Sequence, residues 1–205
     1  MGNLNKFIYV HILKTAGTTL KHSLFERYYK GRYLYDGTFK PRYNNSKGRP
    51  EHPVTIYPQP YPKDYKKYDV IFGHFRHDKY EHLDRPMFSF VRHPVRRLID
   101  QYYYHKGYYK KKIRIEEFAE IWANHMSYVL GDISKYKFIG VVEKFDKSLN
   151  LFCKNLDIPI IKNPITKRYF NDNNIKNTAK KTKKYIESIN KDDMEIYNEI
   201  LGRIK

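Results

Sequence analysis

FIYVHILKTAGTTLKHSLFERYY, Phe7 to Tyr29, sets an apolar strand, a turn of lysine, threonine and glycine, and an amphipathic helix in immediate succession. Phe7–His11 is short, aromatic and β-branched, the pattern of a buried strand. Thr18 or Thr19 can cap the following helix, whose Leu20, Leu24, Phe25 and Tyr28 fall on one side. A junction of this kind aims free backbone N–H groups and the positive end of a helix at one point. Gly17 lets the backbone approach a ligand closely, Thr15, Thr18 and Thr19 add hydroxyls, and Lys14 adds a mobile cation. The set suits a phosphate or a sulfate. An ordinary tight turn with a surface lysine would show much the same letters. The turn lacks the Gly-x-x-x-x-Gly-Lys-Ser/Thr spacing of a Walker loop and the Gly-x-Gly-x-x-Gly of a dinucleotide site.

Outward from this junction, strands and helices alternate. Asp69–Phe75, Met87–Val91 and Phe138–Val142 read as further strands. Helices are expected from Pro94 to about Tyr104, over Ile115–Val129 and over Lys144–Asn155. Thr178–Lys205 reads as two helices breaking near Asn190. Between Gly31 and Lys67 the pattern dissolves into Tyr, Asn and Lys punctuated by Pro41, Pro50, Pro53, Pro58, Pro60 and Pro62, a long irregular excursion. The alternation predicts an α/β fold with a central parallel sheet flanked by helices, in a single domain over 1–205.

The chain has 205 residues and a formal net charge of +18. Such a balance favours anionic partners, although a lysine-, asparagine- and tyrosine-rich composition can also arise by drift. The single cysteine, Cys153, lies in an apolar helical stretch and excludes a disulfide framework. No apolar run approaches the roughly 20 residues that cross a bilayer, and the start does not resemble a signal peptide. A cytoplasmic location is the expectation. No grouping of His, Cys and carboxylates has metal spacing.

HILKTAGTTL (His11–Leu20) resembles the 5′-phosphosulfate loop of the carbohydrate sulfotransferases related to heparan sulfate 2-O-sulfotransferase, which use 3′-phosphoadenosine 5′-phosphosulfate (PAPS). Their His-x-Pro-Lys-Thr-(Ala/Gly)-Gly-Thr-Thr is matched at His11, Lys14, Thr15, Ala16, Gly17, Thr18 and Thr19, with Leu13 in place of proline. FSFVRHPVRRLIDQYY (Phe88–Tyr103) is similar to the family's 3′-phosphate segment, Arg-x-Pro-x-x-Arg. The resemblance implies that Arg92 contacts that phosphate and that Arg97 is the second arginine. Asp100 stands where the family has a phosphate-binding serine, and Arg96 and Arg97 are the partners expected for it. YDVIFGHFRH (Tyr68–His77) resembles the strand whose Gly-His lies beside the sulfuryl group, which makes His74 the candidate general base. Phe72 replaces a second histidine found in some members. FIGVVEKFDKSLNLF (Phe138–Phe152) and KDDMEIYNEIL (Lys191–Leu201) match a later strand and helix and the closing helix, at Gly140, Glu143, Asp193 and Tyr197.

The resemblance therefore implies a P-loop-like sulfotransferase fold and transfer of a sulfuryl group from PAPS to a hydroxyl of a carbohydrate or small molecule, with no metal. Lys14 and His74 would be catalytic. Lys14 to Thr19, Arg92 and Asp100 would hold the nucleotide. Tyr33–Tyr68 and Tyr102–Lys112 are candidate acceptor surfaces, since aromatic rings stack on sugars while cations meet their acidic groups. A catalytically silent nucleotide-binding relative and a basic nucleic-acid-binding protein are the alternatives. No recognised nucleic-acid motif supports the latter, and a kinase lacks its Mg²⁺ carboxylate and loop.

Overall fold

Four residues of the first strand, β1 (Phe7–Val10), are wholly buried and divide between two cores. Phe7 and Tyr9 enter one apolar cluster, Ile8 and Val10 the other, as the two-residue period of a strand requires. A strand covered on both faces belongs inside a parallel sheet with helices on either side. The computed structural model, which describes residues 5–37, 43–44, 49–50, 60–109, 113–162, 164 and 172–204, has that architecture.

The other strands are β2 (Tyr33–Asp36), β3 (Val70–Gly73), β4 (Met87–Val91) and β5 (Tyr136–Val141). All are parallel, in the order β2-β3-β1-β4-β5. The sheet thus reverses its winding at β1, so the turns after β1 and its neighbours open at one carboxyl edge, where ligands of such sheets bind. A two-residue ribbon pairs Tyr43–Asn44 with Arg49–Pro50.

One face carries α1, a helical run over 17–28 that contains a π segment at Lys21–Phe25, and α5 (Phe145–Leu156). There Leu20, Leu24 and Phe25 meet Phe7, Tyr9, Phe88, Phe90 and Phe152. Each large apolar side chain buried this way contributes about 1.5–3 kcal/mol. Cys153 is buried in the same cluster. The other face carries α4 (His125–Leu130) and α8 (Lys191–Arg203), through Met126, Val129, Leu130, Tyr197 and Ile200. The helices α2 (Pro94–Tyr109), α3 (Ile115–Ile121) and α7 (Lys180–Ile189) share a third cluster around Leu98, Phe118, Trp122 and Ile186, and α6 (Asp172–Asn177) packs on α2.

Three expectations change. The helix expected over Ile115–Val129 is two helices, α3 and α4, broken where Asn124 turns left-handed at φ 50°. Asparagine tolerates that conformation better than most residues. The new helix start is stabilised from elsewhere: Asp193 of α8 accepts the N–H groups of Met126 at 3.1 Å and Ser127 at 2.7 Å. The stretch expected to be irregular over 31–67 supplies the edge strand β2, which a short tyrosine-rich run next to Gly37 disguises. Within that stretch, residues 38–42, 45–48 and 51–59 lie outside the described residues. The irregular piece expected up to Ile175 contains the start of α6, and its 163, 165–171 lie outside the described residues. The break expected near Asn190 is present between α7 and α8.

Candidate functional site

β1 ends at Val10, and the next residues turn sharply before α1 begins. Lys14 and Ala16 both take left-handed backbone angles, φ 68° and 65°. For residues bearing a Cβ this conformation costs roughly 1–2 kcal/mol each, and such strain gathers at functional loops. Left-handed steps of this kind cup backbone N–H groups into an anion-sized hollow. Gly17 is required by space: a Cβ there would lie 2.0 Å from His11 Nε2. Thr15 holds the turn together, since its buried hydroxyl donates to the Ile12 carbonyl at 2.7 Å. The expectation that Thr15 offers its hydroxyl proton to a ligand is therefore corrected. Thr15 stands inside the loop, and Thr18 and Thr19 are the threonines that face outward into the cavity.

That cavity has a volume of about 520 Å³. The loop lines its floor with Lys14, Ala16, Gly17, Thr18 and Thr19, and the π segment of α1 adds Lys21 and His22. Phe72 and His74 enter from the end of β3, Tyr35 from β2, and Gln101, Tyr104 and His105 from α2. The loop and His74 are thus brought together, because β1 and β3 are neighbours whose carboxyl ends coincide. The N–H of His11 donates to the Gly73 carbonyl at 2.8 Å, and the N–H of His74 donates to the Asp36 carbonyl at 3.1 Å.

His74 Nδ1 lies 2.8 Å from the His11 carbonyl oxygen. A carbonyl only accepts, so Nδ1 carries the proton and Nε2 keeps its lone pair. Burial lowers the His74 pKa to about 4, against the opposing pull of the His11 carbonyl and of Asp36. At neutral pH the ring is an uncharged base with a fixed tautomer. The His11 imidazole stacks on it at 4.3 Å between ring centres. Burial, and then the neighbouring His74, hold His11 well below its ordinary value. Phe72 on β3 stands where some members are expected to have a second histidine, and the stack sets a second imidazole, from just after β1, against His74.

Lys14 is half-buried, with its ammonium 4.1 Å from the centre of the Tyr104 ring. Burial lowers its pKa, Asp100 raises it and Arg92 lowers it. His105 beside it is lowered to about 4 by burial and by the Lys14 charge.

Arg92 and Asp100 do not line the cavity. They form a buried pair behind its wall, with Arg92 Nη1 donating to Asp100 Oδ2 at 2.6 Å. The expected pairing of Asp100 with Arg96 or Arg97 is corrected: Arg96 is exposed and Arg97 turns inward. Arg97, fully buried, donates to Gln101 Oε1 at 2.8 Å and faces Asp193 at 3.5 Å. Helical spacing alone favours partners three or four residues away, but burial of Arg92 and Asp100 together outweighs it. Glu143 accepts the N–H of His93 at 3.1 Å just before α2, so it caps that helix and not the one that follows Glu143. His77 lies against Gly131, outside the cavity lining.

Sequence reasoning missed His11 as a ring, Gln101, and the roles of Lys21 and His22 as wall residues. Gln101, Tyr104 and His105 sit three and four residues apart, one helix face, and that spacing is the signal they offered. From the expected acceptor surfaces, Tyr35, Tyr104 and His105 reach the cavity while Tyr102 packs in the core. Lys110, Lys111 and Lys112 lie outside the described residues. Among the described residues no group of three or more His, Cys, Asp or Glu side chains could hold a metal ion, and no helix is long and apolar enough to cross a membrane.

No curated protein matches the chain. The sequence model of the sulfotransferase family matches residues 3–129, a span that runs from β1 through the loop that follows it, His74 and α2 to α4. The chain belongs to the sulfotransferase family.

Proposed function

We propose that this protein transfers a sulfuryl group from an adenosine phosphosulfate, PAPS in the sequence expectation, to a hydroxyl of a carbohydrate or hydroxyl-bearing small molecule. The observation that carries the reading is the meeting, in one cavity, of the Lys14–Thr19 loop and a histidine whose Nε2 is fixed as the acceptor. The acceptor hydroxyl would give its proton to His74 Nε2 as its oxygen bonds to sulfur. The bond between sulfur and the bridging phosphate oxygen breaks, and the nucleotide leaves with that electron pair. Lys14 and the loop N–H groups face the charge that grows on the bridging oxygen, and groups fixed in advance need no reorganisation there. Tyr35 and Tyr104 at the cavity rim, 47% and 54% exposed, offer ring faces to a sugar. The scheme needs no metal.

Transfer of radiolabelled sulfate to a glycan panel tests the reading. His74→Ala is expected to lower the rate by about 10²–10⁴-fold with nucleotide binding kept, and Lys14→Ala by about 10²–10³-fold. Normal turnover by His74→Ala would remove the base. The buried Arg92–Asp100 pair favours a second reading, a nucleotide-binding relative without transfer; nucleotide binding with no sulfate moved to any acceptor would establish it.

A further inference from the structure

We infer that Asp100 makes this site selective for an adenosine 5′-phosphosulfate whose ribose bears a free 3′-hydroxyl, by giving Arg92 the negative partner that a 3′-phosphate would otherwise supply. The inference rests on the donor-site reading above and specifies its nucleotide. Arg92 stands at the end of β4, directly before α2, and is 3% exposed. Its guanidinium donates to Asp100, itself 4% exposed, at 2.6 Å. A buried pair of this geometry is charge-neutral as a unit. A dianionic phosphate brought to Arg92 would meet the Asp100 carboxylate at close range in a poorly screened setting, or would have to displace it from the guanidinium.

The buried arginine of α2 does not compensate. Arg97 is fully buried and faces Asp193 at 3.5 Å, and its Nη1 is committed to Gln101 Oε1. Because Arg97 only donates, Gln101 Oε1 is the acceptor there and its Nε2 is left as a donor. That Nε2 is buried, has no hydrogen-bond partner among the described residues, and belongs to a residue of the cavity wall. Beside the Arg92–Asp100 pair the wall thus carries Gln101, a neutral amide and not a second cation for a 3′-phosphate. Lys14, whose charge Asp100 supports and Arg92 opposes, remains the cation for the 5′ end. With such a donor the transfer stays balanced. The acceptor oxygen forms the new bond to sulfur, the sulfur–oxygen bond to the nucleotide breaks, adenosine 5′-monophosphate leaves with the electron pair, and the acceptor proton passes to His74 and then to solvent.

Calorimetric binding of adenosine 5′-monophosphate and adenosine 3′,5′-bisphosphate to the wild-type chain tests this directly. The monophosphate is expected to bind at least as tightly as the bisphosphate. In Asp100→Ser the bisphosphate should gain about tenfold or more, ~1.4 kcal/mol per decade, while the monophosphate stays within a few fold. Should Asp100→Ser fold poorly, Asp100→Asn keeps the shape and removes the charge, and the wild-type comparison stands without either variant. A wild-type preference of about tenfold or more for the bisphosphate overturns the inference while leaving the donor site in place. Binding of neither nucleotide to the folded wild type overturns the inference together with the donor-site reading.

Discussion

His11 and Gly17 are the residue pair on which the geometry of the loop turns. The glycine has no side chain because the His11 ring occupies that space, and the ring in turn stacks on His74. Gly17→Ala is therefore expected to push the His11 ring off its stack and slow sulfate transfer by up to about 10²-fold, as small misplacements near reacting groups do. Ring-proton NMR signals of both histidines should move. If they stay put and the rate holds, the loop accommodates the methyl group elsewhere. The loop and His74 were legible in the sequence because each directly follows a run of apolar residues, so the carboxyl edge of a parallel sheet collects them. The partner of Asp100 was not. Arg92 precedes Pro94 and lies outside the helix whose spacing suggested Arg96 or Arg97, and nothing in a linear reading says which of three nearby arginines is buried with the carboxylate. Gln101 offered only its spacing from Tyr104 and His105; its bond to Arg97 follows from Arg97 turning inward, which no spacing reveals.

At the scale of elements, the closing helix α8 is bound to the middle of the chain through one side chain. Asp193 is wholly buried, accepts two N–H groups at the start of α4 and faces Arg97 of α2. Burial raises the Asp193 pKa, while Arg97 and the two backbone donors oppose that rise. Asp193→Ala would leave the Arg97 guanidinium buried with no carboxylate and the α4 start with unmet donors. Removing one partner of a buried pair costs about 3–5 kcal/mol, so urea denaturation should show a loss of that size. A loss below about 1 kcal/mol would mean that Arg97 finds water or another acceptor. The sheet itself was legible, since β1, β3 and β4 are continuous apolar runs. The edge strand β2 was not, because an edge strand carries half-exposed tyrosines and reads as loop. The break at Asn124 was not legible either, since the cap that permits it comes from a residue 69 positions further on.

For the whole molecule, acid is the expected weakness. His74 and His105 are both held at about 4, chiefly by burial, and His11 is also well below its ordinary value. Once unfolded, each would titrate near 6.5. Below that pH the unfolded chain takes up protons that the folded chain refuses, so stability falls as pH drops from about 6.5 towards 4. The net charge of +18 adds self-repulsion that grows as carboxylates protonate. Thermal melts at pH 7.5, 6 and 5 should show a declining midpoint, with added salt restoring part of it. A midpoint that is flat or rises on acidification would mean that these rings become solvated and charged without unfolding.

The brace from Asp193 through Arg97 to Gln101 has an evolutionary corollary. The family's sequence signature closes at residue 129, yet one wall of the pocket is propped from the far terminus. Grafting the first two-thirds of this chain onto another scaffold would carry over the letters of the signature without the strut that aims its glutamine. The closing helix α8 thus belongs to the proposed nucleotide site as much as the loop after β1 does, although it is not among the residues that line the hollow.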